Sequence, residues 1–451
     1  NSTMARLAQT LAALSLLTVT AFANAQDTLA QRDQLAPIAN SSWNYERAAH
    51  LLERAGFGGT PEQIAALAAM TPAAAVRSLV YFQGADNSHL QPFVHSGIHD
   101  PGLEPFPPSR PATTEMAKET GEALGIKVKP EGNRRLQPVV NKFFYWLRAS
   151  VLETNRVSYW WADRMVNSNA PLQEKMALFW HGHFAVNESK VRDYRKLLNE
   201  LTLFHDMGTG SFRDLMVAVA QDPAMLSFLD AGVGNYSEKD IREAARAFTG
   251  WNYVDVNFVV NEQEHDDGVK EFLGRSGNFD GVQIIDIIME QDATAEHIAG
   301  KLYRFFVRED LSPTLQAQLG DILRNADYEI APLLETIFLS QDFYSNASVG
   351  TQIKSPVQLA VSTYRKLGLN EVPGVPDFNL ATGALGQSLF RPPTVAGWAG
   401  GRTWITTGLL LERGNFARDV LFPDINFIPP DRVNGSEEIR SVADRVRQGM
   451  D

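Results

Sequence analysis

Not one cysteine occurs in this chain. That excludes disulfides, thiolate metal sites, iron–sulfur clusters and cysteine nucleophiles. Basic character is also lacking: 41 Lys and Arg stand against 53 Asp and Glu, a formal net charge of −12. Nucleic acid and anionic membrane surfaces are therefore poor partners. There is no Walker-type phosphate loop, no G-x-G-x-x-G after a strand, no G-x-S-x-G elbow and no H-E-x-x-H pair, so nucleotide binding and serine hydrolysis on those templates are disfavoured. Beyond residue 25 no run is long and apolar enough to span a bilayer, and no stable membrane insertion is expected. Sustained period-2 alternation is scarce, which argues against an extensive sheet.

What is present begins with a secretion-type leader. Met4 reads as the start, Arg6 supplies a positive region, Leu7 to Ala23 is apolar and small, and Ala23-Asn24-Ala25 is an A-x-A site before Gln26. Residues 1–25 are expected to be a signal peptide, giving a periplasmic or secreted protein. Residues 26–41 read as a linker, 42–425 as one helical domain, and 426–451 as a tail that stops inside a helical pattern.

Helix starts recur with one chemistry, a capping side chain followed by proline: Thr60-Pro61, Thr71-Pro72, Asp222-Pro223, Ser312-Pro313 and Ser355-Pro356. Ser211-x-x-Asp214 and Ser237-x-x-Asp240 add box-like caps. Behind them the apolar spacing is helical, as in Val157, Trp160, Trp161, Arg164 and Met165, with the Arg stem lying along the stripe. Residues 282–288 read as a helix more readily than as a strand. Six prolines between Pro101 and Pro130 mark a long irregular excursion around a short helix near Thr114 to Leu124. The expected class is all-α: a single large multi-helix domain with long proline-rich loops.

The densest chemistry lies in Glu174 to Phe184, a helix running into His181-Gly182-His183. Residues two apart on a helix point about 200° apart, so an unbroken helix would separate the two rings. A turn at Gly182 would let both face one cavity. Glu174 shares a stripe with His181 at i, i+7. Three readings follow: a crowded helix end, a divalent-metal site at His181 and His183, or a metal-free acid–base pair. His265-Asp266-Asp267-Gly268-x-Lys270 is turn-like; it either caps itself or supplies a third imidazole and an orienting carboxylate. Trp180, Trp251, Trp398 and Trp404 either plug helix junctions or present indole faces to a ligand such as a sugar ring. Trp251 is expected to end a helix.

Taken in order, several segments resemble a bacterial family known as domain of unknown function 1800. They are Ala49-His50-Leu51-Leu52-Glu53-Arg54-Ala55-Gly56-Phe57-Gly58, Glu174 to Phe184, Phe212-Arg213-Asp214-Leu215 and Asp222-Pro223-Ala224-Met225 with Leu229-Asp230. Tyr236 to Asp240, Ala245 to Trp251, His265-Asp266 with Lys270, Lys354-Ser355-Pro356-Val357, Gly397-Trp398 and Trp404 complete the set. The resemblance implies a secreted helix-rich protein with no assigned reaction, and a second exported protein encoded nearby as partner. It also implies an Asn/Glu/Arg-rich helix after Asp230, where this chain passes directly into Ala231-Gly232-Val233-Gly234.

Two functions are then in contention. One is a hydrolase acting on an extracellular polymer such as a polysaccharide. It would use His181, His183 and Glu174, with His265 and Asp266 in support, Trp180, Trp251 and Trp398 as walls, and a divalent metal as cofactor. The other is a non-catalytic surface binding or assembly protein using Trp251, Trp398 and Trp404, or an inactive variant.

Overall fold

A computed structural model describes residues 31–97, 118–123, 125, 137–229 and 239–423. Residues 1–25 (expected to be a signal peptide), most of the proline-rich excursion, the segment after Leu229 and the tail lie outside these residues.

The described chain is mainly helical, as its capping chemistry predicts. It runs through α1 (Tyr45–Ala55), α2 (Pro61–Ala68), α3 (Pro72–Val80), α4 (Gln137–Asn167), α5 (Pro171–His183), α6 (Glu188–Val191), α7 (Tyr194–Met207), α8 (Phe212–Ala220), α9 (Pro223–Leu229) and α10 (Lys239–Ala247). Two antiparallel hairpins follow, β1 (Trp251–Val254) with β2 (Asn257–Val260) and β3 (Lys270–Phe272) with β4 (Arg275–Gly277). Then come α11 (Gly281–Met289), α12 (Asp292–Phe306), α13 (Pro313–Asn325), α14 (Ile330–Leu339), α15 (Pro356–Lys366), α16 (Phe378–Ala384) and α17 (Thr407–Leu421).

Each expected cap that is described forms. Thr60 and Ser355 make full capping boxes with Gln63 and Gln358, Thr71 and Ser312 accept N3 amides, and Asp222 accepts from Met225 N at 3.0 Å. Asp280 adds a capping box with Gln283 that starts α11, which places residues 282–288 in a helix. Residues 118–123 are helical within the excursion. Ser237 lies outside the described residues. Trp251 departs from expectation: the helix before it ends at Ala247, Gly250 takes φ +82°, and Trp251 opens a strand. A Cβ on Gly250 would lie 2.5 Å from the Asn261 carbonyl oxygen, so this hairpin base tolerates only glycine.

The described residues form two compact units, one drawn from positions up to 84 with 292–353 and one from positions 85–291 with those from 354 onward. In the first, α12 packs on α13 and α3 on α14. The His50-to-Gly58 segment anchors here by polar contacts. His50 Nε2 lies 3.0 Å from the Phe343 carbonyl, and Arg54 Nη2 donates to the Val307 and Ser348 carbonyls at 2.9 and 3.1 Å. Arg308 and Tyr303 close on the buried Asp342 at 2.7 and 2.5 Å. In the second unit, α7 is the central rod, in contact with α4, α5, α8 and α9. Trp161, Met165, Met176, Trp180, Leu197, Leu201 and Phe204 make its core.

Candidate functional site on helices α5 and α7

Helix α5 does not turn at Gly182. It continues to His183, and the Phe184 amide still donates to the Trp180 carbonyl at 2.7 Å. The two imidazoles therefore diverge, as an unbroken helix requires. His181 is 1% exposed, enclosed by Trp161, Phe390 and Trp398 with ring centroids at 5.4, 4.8 and 5.5 Å. Its Nε2 accepts the Phe390 amide at 3.0 Å, and burial lowers its pKa to about 3. The ring is thus neutral, and the lone pair a metal or proton would need is already used. His183 is half-buried and stacks parallel on Phe179 at 6.0 Å, one turn back. The shared cavity expected for this pair is not formed.

The glycine that matters here is Gly397. It sits at φ +77°, and a Cβ on it would lie 2.1 Å from the Gly182 carbonyl oxygen. The Gly397-Trp398 segment thereby lays its backbone on the end of α5 and its indole on His181. Trp180 is fully buried, donating to the Gly208 carbonyl at 2.8 Å and stacking on Phe212, so it is core and not a substrate wall. Trp404 is 7% exposed. Trp251 is half-buried between Phe248 and Phe258 in the first hairpin. A shared indole groove of Trp251, Trp398 and Trp404 has no support in these placements.

Glu174 is completely buried and pairs elsewhere than expected. Its Oε1 accepts from Arg164 Nε at 3.1 Å, and its Oε2 from Trp161 Nε1 at 3.1 Å and His205 Nε2 at 2.7 Å. Burial alone would raise its proton affinity. His205 and Arg164 outweigh that and hold the carboxyl below its ordinary value. Trp161 stands between the two histidines, edge-on to both. All this carboxylate's donors come from the fold, so the centre is closed.

His265 and Asp266 serve the second hairpin. His265 Nδ1 is 2.9 Å from the Thr249 carbonyl, and Asp266 takes Arg246 Nε and Nη2 at 2.7 and 3.1 Å. Those bonds hold the Asp266 carboxyl well below the usual carboxylate range. Lys270, buried on β3, donates to the Asp266 carbonyl and to Asn278 Oδ1. Among the described residues no three His, Asp or Glu side chains gather as a metal-binding group.

A second buried acidic centre lies further along α7. Glu200 is fully buried, and neither carboxyl oxygen has a hydrogen-bond partner among the described residues. Burial and the neighbouring Asp222 charge push its pKa well above the ordinary value. Burial likewise raises Asp222 to about 7, opposed by the Met225 and Ala224 amides and by Lys196. Lys196, one turn before Glu200, does not pair with it. Its Nζ donates to Ser227 Oγ at 3.1 Å and stands 3.6 Å from the Tyr253 ring centre.

The DUF1800 family model, described as a protein of unknown function, matches residues 50–232 and 231–449. The chain belongs to this family. No curated protein and no solved structure matches it. The function of the family is not known, so membership leaves the chemistry to the residues above. Among the described residues no helix is long and apolar enough to cross a membrane.

His205 and Glu200 were not among the residues singled out by sequence, and Asp222 was singled out only as a helix cap and within the family-like segments. A signal for both missed residues was there. Taking Leu197, Leu201 and Phe204 as the apolar line of α7, Glu200 projects about 60° to one side and His205 about 80° to the other, at about 100° per residue. Both fall on the buried arc. Lys196 and Glu200, at i, i+4, look instead like an ordinary surface pair.

Proposed function

We propose that this DUF1800 member is an exported protein that acts by binding or assembly and not by turnover. The observation that carries the reading is Glu200: a fully buried carboxyl with no hydrogen-bond partner among the described residues. A general acid or base must reach the atom it protonates, and a sealed side chain does not. The two family matches meet at 231–232, beside the point where the sequence lacks the implied Asn/Glu/Arg-rich helix. Export rests on the leader-like residues 1–25, and the implied partner is a second exported protein.

One observation favours the rival hydrolase reading. Glu200 and Asp222 both hold their protons more tightly than ordinary carboxyls, beside an ammonium, as acid–base groups often do. The test is a turnover screen of the purified chain against chromogenic glycosides, esters and peptides, with and without divalent cations. No turnover above blank is expected. Turnover abolished by Glu200→Gln or Asp222→Asn would overturn the binding reading.

A further inference from the structure

Residues 86–96 contain neither helix nor strand, yet they follow one face of α4 for four turns. The Asn167 carbonyl lies 3.0 Å from His89 Nε2, and Trp160 Nε1 donates to the Gln91 carbonyl at 2.8 Å. Phe93 sits edge-on to Trp160 at 6.0 Å, with the Arg156 guanidinium 5.4 Å over its ring. His95 Nδ1 is 2.7 Å from the Tyr194 hydroxyl, and Ser96 Oγ donates to Glu153. Asn167, Trp160, Arg156 and Glu153 form a single helical stripe, at spacings that put successive anchors on one face. The strap runs antiparallel to the helix, one anchor per turn or two.

The strap is lightly built and its seat is not. Gln91, Pro92, Val94, His95 and Ser96 are exposed, and Phe93 alone among residues 91–96 is half-buried. Among the described residues, 91–95 make no backbone-to-backbone hydrogen bond, and the Ser96 amide lies 3.4 Å from Glu153 Oε2. Beneath it, Glu153 and Tyr194 are 1% and 3% exposed. Lifting the strap would uncover a carboxylate, a phenol, an indole and a guanidinium in a row. That set recognises an extended chain through a backbone carbonyl, an aromatic anchor two residues later and a hydroxyl three beyond it. Trp160 also carries the Arg164 guanidinium 5.3 Å over its ring, which connects the groove to Glu174.

We propose that this face of α4 with Tyr194 is a recognition groove for an extended segment of a partner polypeptide, and that residues 86–96 fill it as a ligand in cis. The partner segment displaces the strap by presenting the same order of groups. This stands independently of the buried carboxyl centre.

The test uses a fluorescent synthetic peptide of residues 86–97 and the full chain as wild type and Phe93→Ala. Anisotropy should show the variant binding the peptide about tenfold or more tightly than wild type, because its cis competitor has lost the aromatic anchor. A peptide carrying Phe93→Ala should bind about tenfold more weakly than the unaltered one. A folded variant that ignores both peptides, or that dimerises without capturing either, overturns the proposal. Hydrogen exchange on wild type decides the matter if the variant does not fold. The amides of Gln91, Phe93, Val94 and His95 should exchange freely while those of residues 148–167 stay protected, and equal protection would make the strap integral to the fold and end the idea.

Discussion

Glu174 and Glu200 are both completely buried and both belong to the packing around α7, yet their environments resolve burial in opposite ways. Glu174 meets an indole, an imidazole and a guanidinium, and it stays ionised. Glu200 meets no donor among the described residues, and burial makes it hold its proton more tightly than an ordinary carboxyl. Burying a carboxyl is thus not one energetic event. Its sign depends on whether the surrounding side chains supply donors for the charge.

The sharpest way to break this comparison is to remove the paired carboxylate. Glu174→Ala should cost about 3–5 kcal/mol in urea denaturation, because Arg164 and His205 would be left without their acceptor. A loss below about 1 kcal/mol would mean that the centre is not closed. Gly397→Ala comes next, at about 2 kcal/mol or more, since it forces a left-handed side chain onto the Gly182 carbonyl. Glu200→Leu should carry the opposite sign to Glu174→Ala, raising stability at pH 7 by about 1–3 kcal/mol as an unsatisfied polar group is replaced by hydrocarbon of similar volume.

The pH response should separate the two centres without a large structural change. Asp222 is raised from 3.8 to about 7 in the fold, so its stabilising contribution is full below pH 3.8 and lost as pH rises through 7. Glu174 is held below 4.5, so its contribution is full above that value and lost as pH falls through the folded pKa. Stability measured across pH 4–8 should fall less steeply toward neutral pH in Asp222→Asn, with the raised Glu200 carrying the slope that remains. A slope unchanged by that substitution would remove Asp222 from the account. The smallest effect belongs to His183→Ala, within about 0.5 kcal/mol, as befits a half-buried ring at a helix end.

Much of the scaffold was legible because its signals are local. Thr60, Thr71, Ser312 and Ser355 each satisfy an amide within their own first turn, so the capping residue, its proline and the apolar spacing suffice to place a helix. The site was far less legible. Glu174 was singled out for sharing a stripe with His181, but its imidazole partner is His205, 31 positions away. Gly182 looked like a bend because glycine permits one, whereas the glycine under constraint is Gly397.

The amino-acid sequence by itself determined the helical class, several helix starts, the acidity and the family to which the chain belongs. Each of these depends on spacing within one or two turns or on overall composition. Only the tertiary structure decided which imidazole meets which carboxylate, that Glu200 goes without a donor among the described residues, and that residues 86–96 lie along α4. Hydrogen bonds of a few ångströms between segments far apart in the chain leave no periodic trace in it.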